Sequence, residues 1–284
     1  MTSLMLGDNP FFAISHLGPE KTQEYLQDET RFTKARDVIR LAGDLKIREL
    51  MISSHDDSQE LLEHTGYYSD AQATTLPDLV VNIPNVHQLN NEATKRGILG
   101  GFISASTTNR GQLQKVFKAM AGLPHGLAFT VVRAAIQTMI DPYPKEKVTY
   151  VCLHNIVTDL LLGIGKPFTF RVVADAIVSL GFKPAFISLN PILADQMLPR
   201  GVPLCTYYNL NGFNMCPSRE EVLDFAKATQ RPLWAMGVLS SGAIPVGKAL
   251  QDHNLANFSR VIYATSSTDR LAQAGSIWQS RKEL

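Results

Sequence analysis

Apolar positions along the chain gather into short runs that end in small polar residues, with stretches of helical spacing between them. Leu4-Met5-Leu6 runs into Gly7-Asp8-Asn9-Pro10, and Leu50-Met51-Ile52 breaks into Ser53-Ser54-His55-Asp56-Asp57. The same form recurs at 79–85, 98–106, 149–155, 185–191, 203–209, 232–242 and 260–268. Short apolar runs with polar C-terminal ends are the mark of buried parallel strands that open into a site. Between them, Phe32, Ala35, Val38, Ile39, Ala42 and Leu45 form a helical stripe. Residues 111–140 read as helix in two pieces divided near Pro124-His125-Gly126, and Asp141-Pro142-Tyr143-Pro144 stops the second. A further helix from Thr169 to Leu180 ends at Gly181. Ser218-Arg219-Glu220-Glu221 has the spacing of a capping box ahead of Val222 and Leu223.

Strand and helix alternating over the whole length make the fold class α/β. The repeats run from end to end and no GxGxxG follows the first strand, so the expected architecture is a (β/α)8 barrel, one domain over residues 1–284, rather than an open doubly wound sheet. The pattern offers nine strands for eight places. Ile98–Ser106, with Gly100 and Gly101 inside it, is the expected outsider.

Composition narrows the function classes. Lys and Arg number 27 against 26 Asp and Glu, a formal net charge of +1, so no nucleic-acid partner and no anionic membrane surface is expected. The apolar runs fall short of the roughly 20 residues of a membrane span. The first residues lack the basic region and long apolar segment of a secretory signal. Three cysteines, Cys152, Cys205 and Cys216, without CxxC spacing suggest reduced thiols, and a cytoplasmic location is expected. The expected partner is a small-molecule substrate; the sequence carries no sign of the oligomeric state.

A barrel builds its site at the C-terminal ends of its strands. That placement selects His154 and His55 to move protons, since an imidazole at a strand end serves as acid or base near neutral pH, with Asp8 or Asp56 to orient them and Asp8 as an alternative general base. Asp56 or Asp57 would orient the His55 ring and raise its basicity. Each has a structural alternative: a histidine bonded to a loop carbonyl, Asp57 or Ser58 capping a helix that starts near Gln59, an Asx turn at Asp8. Asn9, Asn82, Asn190, Tyr208 and Asn209 are the expected substrate contacts. Side-chain alternation sends one of Tyr207 and Tyr208 inward and the other outward. Gly237, Ser240 and Ser241, with Ser266, Ser267, Thr268 and Arg270, lie in the loops after the last two strands, where barrels often hold phosphate. The alternative is a pair of plain loops with Thr268 as a helix cap. A catalytic metal is not expected: HxH and HExxH are absent and the strand ends carry no glutamate. A Schiff-base lysine is not expected either, as none lies inside a strand candidate.

The last third of the chain resembles the aldo-keto reductases in order. Ala185–Asn190 resembles that family's strand ending in Ser-Asn, Cys205–Leu210 its Tyr-Asn-Leu strand, and Ala235–Ile244 its Pro-Leu-x-x-Gly turn. Ala264–Leu271 resembles its cofactor-phosphate loop, and Ser58-Gln59-Glu60-Leu61-Leu62 its Ser-Glu-x-x-Leu helix start. The family reduces carbonyls with a nicotinamide cofactor, using aspartate, tyrosine, lysine and histidine. Only the histidine carries over, as His154; the aspartate falls near Leu50, the tyrosine near His55 and the lysine near Asn82. The resemblance therefore implies a barrel that keeps the binding end and lacks the reducing residues. The reading this favours is an acid–base enzyme, a lyase, isomerase or hydrolase for a small polar or phosphorylated metabolite. The alternative is an oxidoreductase dependent on NADPH or NADH in which His55 replaces the tyrosine. A non-catalytic ligand-binding barrel is the third.

Overall fold

Alternation of side chains across each strand, with both faces buried, sets the architecture. The computed structural model describes residues 2–12, 28, 30–69, 75–84 and 125–281. Eight strands run through them: β1 (Ser3–Gly7), β2 (Glu49–Ser53), β3 (Asp78–Ile83), β4 (Val148–Leu153), β5 (Lys183–Ile187), β6 (Leu204–Tyr207), β7 (Leu233–Met236) and β8 (Arg260–Ala264). All pairs are parallel and the sheet closes, β1 pairing β8 through Met5 and Ile262. One set of alternate residues fills the barrel: Met5, Met51, Val80, Cys152, Ala185, Ile187, Cys205, Trp234 and Ile262. Their neighbours, among them Leu6, Leu50, Val81, Phe186, Leu204 and Val261, face the helical shell and share its core. A strand buried on both faces reads as a continuous apolar run, which is why the sequence shows runs and not alternation.

The helices are α1 (Arg31–Asp44), α2 (Ser58–Thr65), α3 (His125–Ile140), α4 (Asn155–Ile164), α5 (Pro167–Ser179), α6 (Pro191–Met197), α7 (Arg219–Ala228), α8 (Val246–Leu250) and α9 (Thr268–Ser280). The expected stripe of α1 is buried at Phe32, Ala35, Val38, Ile39 and Ala42. Ser218 caps α7, its Oγ accepting the Glu221 N–H at 3.2 Å. Gly181, with φ +90, follows α5 as expected. The barrel closes without Ile98–Ser106, because β3 pairs β4 directly through Asn82 and Cys152; that segment and 111–124 lie outside the described residues. Helix α4 has no counterpart in the expectations. It buries Val157, Leu161 and Leu162 and also leaves Ile156, Leu160 and Ile164 exposed, so apolar residues stand on both of its faces. Among the described residues no helix is long and apolar enough to cross a membrane.

Two packing details set the N-terminal face. Arg260 opens β8 with a bidentate ion pair to Glu49 of β2 (Nη2 to Oε1, 2.7 Å), and its guanidinium lies over Trp234 and Tyr150, 4.7 and 5.0 Å from the ring centroids. Helix α1 ends in a Schellman turn: Lys46 N–H bonds Gly43 O, and Ile47 N–H bonds Ala42 O, each at 2.9 Å. Lys46 has φ 59 there, a left-handed conformation that glycine usually takes and that costs other residues about 1 kcal/mol.

Gly43 tests the packing of α1 on the barrel. Alanine in a helix interior is normally better than glycine by roughly 0.5–1 kcal/mol, but a Cβ here would meet the Thr75 carbonyl oxygen at 2.3 Å. Gly43→Ala is expected to destabilise by about 1–3 kcal/mol, measured by urea unfolding followed by far-ultraviolet circular dichroism.

Candidate active site at the C-terminal mouth of the barrel

The C-terminal ends of β1 to β4 are laced together by hydrogen bonds. Asp8 Oδ2 accepts the Ser53 N–H at 2.5 Å, Ser54 N–H donates to Asn82 O at 2.9 Å, and His154 N–H donates to Ile83 O at 2.8 Å. Continuing the inward set of Met51, Val80, Cys152 and Cys205 by two residues brings Ser53, Asn82, His154 and Tyr207 to the mouth.

Asp8 is 3% exposed. Burial outweighs the Ser53 hydrogen bonds and pushes its carboxyl up to about 6. Its neighbour Ser53 is held from the other side, the carbonyl accepting Ser58 Oγ at 2.7 Å and the Tyr143 hydroxyl at 3.3 Å. Asn82 is 7% exposed, and its Oδ1 is buried without a hydrogen-bond partner. His154 is the N-cap of α4: its Nδ1 accepts the Ile156 N–H at 3.2 Å. That bond puts the proton of the neutral ring on Nε2.

His55 is differently placed from the expectation. Its ring stacks on Phe12, centroids 4.7 Å apart, and its Nδ1 accepts the Asp57 N–H at 3.2 Å. Burial lowers its pKa, against Asp57 and Asp56 which raise it. The expected gain in basicity is thus reversed, because burial of the ring outweighs the two aspartates, of which Asp57 is also engaged by Arg31 at 2.9 Å. Asp56 is exposed on the rim, as is Asn9. Asp57 stands at the N-cap of α2 without a side-chain capping bond.

The tyrosine pair resolves in favour of Tyr207. Its ring backs onto Gly237, where a Cβ would meet Tyr207 Cδ1 at 2.5 Å; with φ +68 and that ring in place, only glycine fits. Tyr208 points outward, fully buried, its hydroxyl donating to Asp252 Oδ2 at 2.6 Å and its ring against Phe258. It does not line the mouth. Nor does Asn209: its Oδ1 accepts the Asn211 and Phe213 N–H groups and its Nδ2 donates to Phe213 O, so the side chain is spent on shaping its own loop. Asn190 caps α6, Oδ1 accepting the Leu193 N–H at 3.0 Å. Reasoning from strand ends misses Asp159, which rises from α4 to bind Ser188 Oγ at 2.5 Å and the Leu189 N–H at 3.2 Å. No strand-end rule points to a mid-helix carboxylate.

The two anion-loop expectations separate. After β7 the amides of Ser240, Gly242, Ala243 and Ile244 are consumed within the 237–244 turn, and Ser240 and Ser241 have φ 49 and 56. That loop offers an anion few donors. After β8, Ser267 rather than Thr268 is the N-cap, its Oγ accepting the Arg270 N–H at 3.3 Å. The first-turn amides of Thr268 and Asp269 have no intrahelical partner, Ser266 lies just ahead of the cap, and Arg270 is exposed beside them. No group of three or more His, Cys, Asp or Glu among the described residues is placed to hold a metal ion.

Solved structures share this barrel over nearly its full length. A protein from Pseudomonas aeruginosa provisionally described as an aldo-keto reductase superposes with a TM-score of 0.60 at 15% identity, covering 98% of this chain and 90% of its own. The fold is that of the aldo-keto reductases. MGS-M4, an aldo-keto reductase from a Medee basin deep-sea metagenome library, matches at a TM-score of 0.56 and 11% identity, covering all of this chain and 91% of its own. A Gox0644 variant in complex with NADPH matches at 0.55 and 10%, covering 99% and 87%. No protein-family model matches the chain and no curated protein does. Set against the aldo-keto reductase tetrad, Leu50 faces the helical shell and is buried there, so a carboxylate at that position would not reach the mouth. Asn82, near which the resemblance put the family's lysine, does face the mouth.

Asp8 gives a pH signature. Its folded pKa is raised, so folding is favoured by protonation: the contribution is full below the unfolded value of 3.8 and lost as pH rises through about 6. Asp8→Asn, which keeps an acceptor for Ser53, is expected to flatten the stability change between pH 4 and 7 and to stabilise the fold at pH 8 by ~1–3 kcal/mol. Urea unfolding across that range checks both.

Proposed function

We propose that the protein is a nicotinamide-dependent oxidoreductase that interconverts a small polar carbonyl compound and its alcohol. What carries this reading is the aldo-keto reductase fold over nearly the whole chain, one of the matched structures being an NADPH complex. The residues present fit such a cofactor at two points. The half-buried Tyr207 ring, backed by Gly237, offers a flat face at the mouth. The first turn of α9, with Arg270 and the small residues Ser266, Ser267 and Thr268, suits a phosphate. When bound, the cofactor supplies the hydride.

The chain's own residues then do three things. His154, with its proton on Nε2, donates a hydrogen bond to the substrate oxygen and stabilises negative charge as it develops there. Asp8, buried and with its carboxyl pushed up to about 6, holds the proton to be exchanged. Asn82 Oδ1 accepts from a donor on the substrate. Among the described residues no tyrosine–lysine pair stands at the ends of β2 and β3, which favours a second reading, the non-redox acid–base enzyme, built on the same histidine and carboxyl group.

Titration with NADPH, followed by its fluorescence, separates the two. Saturable binding is expected, weakened at least ~10-fold by Arg270→Glu through loss of a charge-assisted phosphate contact. Absence of binding at millimolar NADPH would sink the redox reading. With a panel of small aldehydes, His154→Gln is expected to lower kcat/KM by about 100-fold or more and to leave NADPH binding unchanged. Unaltered turnover would remove His154 from the mechanism.

A further inference from the structure

The opposite end of the barrel carries a cavity that the candidate active site does not use. It has a volume of about 510 Å³ and lies between the starts of β1, β2, β3 and β8, the turn after α1 and the last turns of α9. That volume is in the range of small-ligand pockets. Its apolar wall is Leu4, Ile47 and the indole of Trp278. Lys46 and Arg48 stand at its rim, exposed, and neither forms an ion pair among the described residues.

The charges on the wall do not cancel. The two carboxylates there already have cations: Glu49 holds Arg260, and Asp78 takes Lys147 at 3.2 Å. Lys46 and Arg48 are therefore a surplus of two positive charges over an apolar hollow. Trp278, 6% exposed, closes the hollow from the side of α9. The conformation of Lys46 points the same way, since the chain keeps a lysine in a left-handed position where glycine would be easier.

We propose that this cavity is a second ligand site, for a small organic carboxylate with an apolar or aromatic body, on the face away from the catalytic mouth. The body lies against Leu4, Ile47 and Trp278, and the carboxylate faces Lys46 and Arg48. Catalytic sites of such barrels sit at the other face, so a ligand here acts on stability or regulation and does not compete with substrate. The proposal does not rest on the redox reading.

The probes are 4-phenylbutyrate and its uncharged counterpart 4-phenylbutan-1-ol, titrated into the full chain by calorimetry. The acid is expected to bind one to one, at least ~10-fold tighter than the alcohol. The double variant Lys46→Gly, Arg48→Gln is expected to lose that preference, to melt no lower than the parent because glycine suits the turn, and to bind NADPH as the parent does. Equal affinity for acid and alcohol, undiminished acid binding by the double variant, or no saturation by about 10 mM acid would overturn the proposal.

Discussion

Closure of an eight-stranded parallel sheet on a single large side chain is the constraint behind this structure. Trp234 stands fully buried inside the barrel, with the small residues Cys152, Ala185 and Cys205 in the same interior cluster. A small barrel has room for side chains and no more, so a tryptophan inside requires small partners across from it. The interior is consequently filled by side chains, and burial raises the thiols of Cys152 and Cys205 far from ionisation. They act as small hydrophobes, not as nucleophiles. At the base, Arg260 caps this filling by stacking on Trp234 while Glu49 neutralises it.

Burial also governs the mouth. Burial pushes Asp8 toward its neutral acid and His55 toward its neutral base, so the two titratable groups nearest the ends of β1 and β2 both shed charge. The backbone reinforces this: Asp8 is held by an N–H of Ser53, and both His55 and His154 accept backbone N–H groups at Nδ1. The groups at these strand ends are thus arranged by hydrogen bonds, with the Asp8 carboxyl pushed up to about 6 by its burial. At the end of β3 the inward position is taken by the amide of Asn82, which is uncharged and buried. The fold rests on the interior and shell layers, whereas the character of the mouth rests on a few terminal residues.

Charge is distributed unevenly between the two ends. Among the described residues the mouth holds the buried Asp8 and the exposed Arg270, whereas the N-terminal face keeps Lys46 and Arg48 without an ion pair beside the hollow. Helix α9 links them: its first turn, at Ser267, borders the mouth, and its last turn, at Trp278, borders the hollow. A rigid helix of thirteen residues between the two places is a physical connection, though the proposed ligand site stands on its own geometry.

The sequence by itself determined the barrel. Apolar runs with polar ends, repeated at barrel spacing, specify strands buried on both faces, and capping and stop signals at Ser218 and Gly181 bound their helices. These are local properties, written in periodicity and single residues. It also placed His154 and Asn82 at strand ends, since position along a strand is local too. What only the tertiary structure decided is direction and partnership. Whether Tyr207 or Tyr208 faces inward depends on the register of β6 against β7, and whether Asn209 binds a ligand or its own loop depends on where Phe213 returns. The loss of basicity at His55 depends on Phe12 and on Arg31, 24 residues before it in the chain, reaching Asp57. Burial and long-range pairing set these outcomes, and neither is present in a run of neighbouring residues.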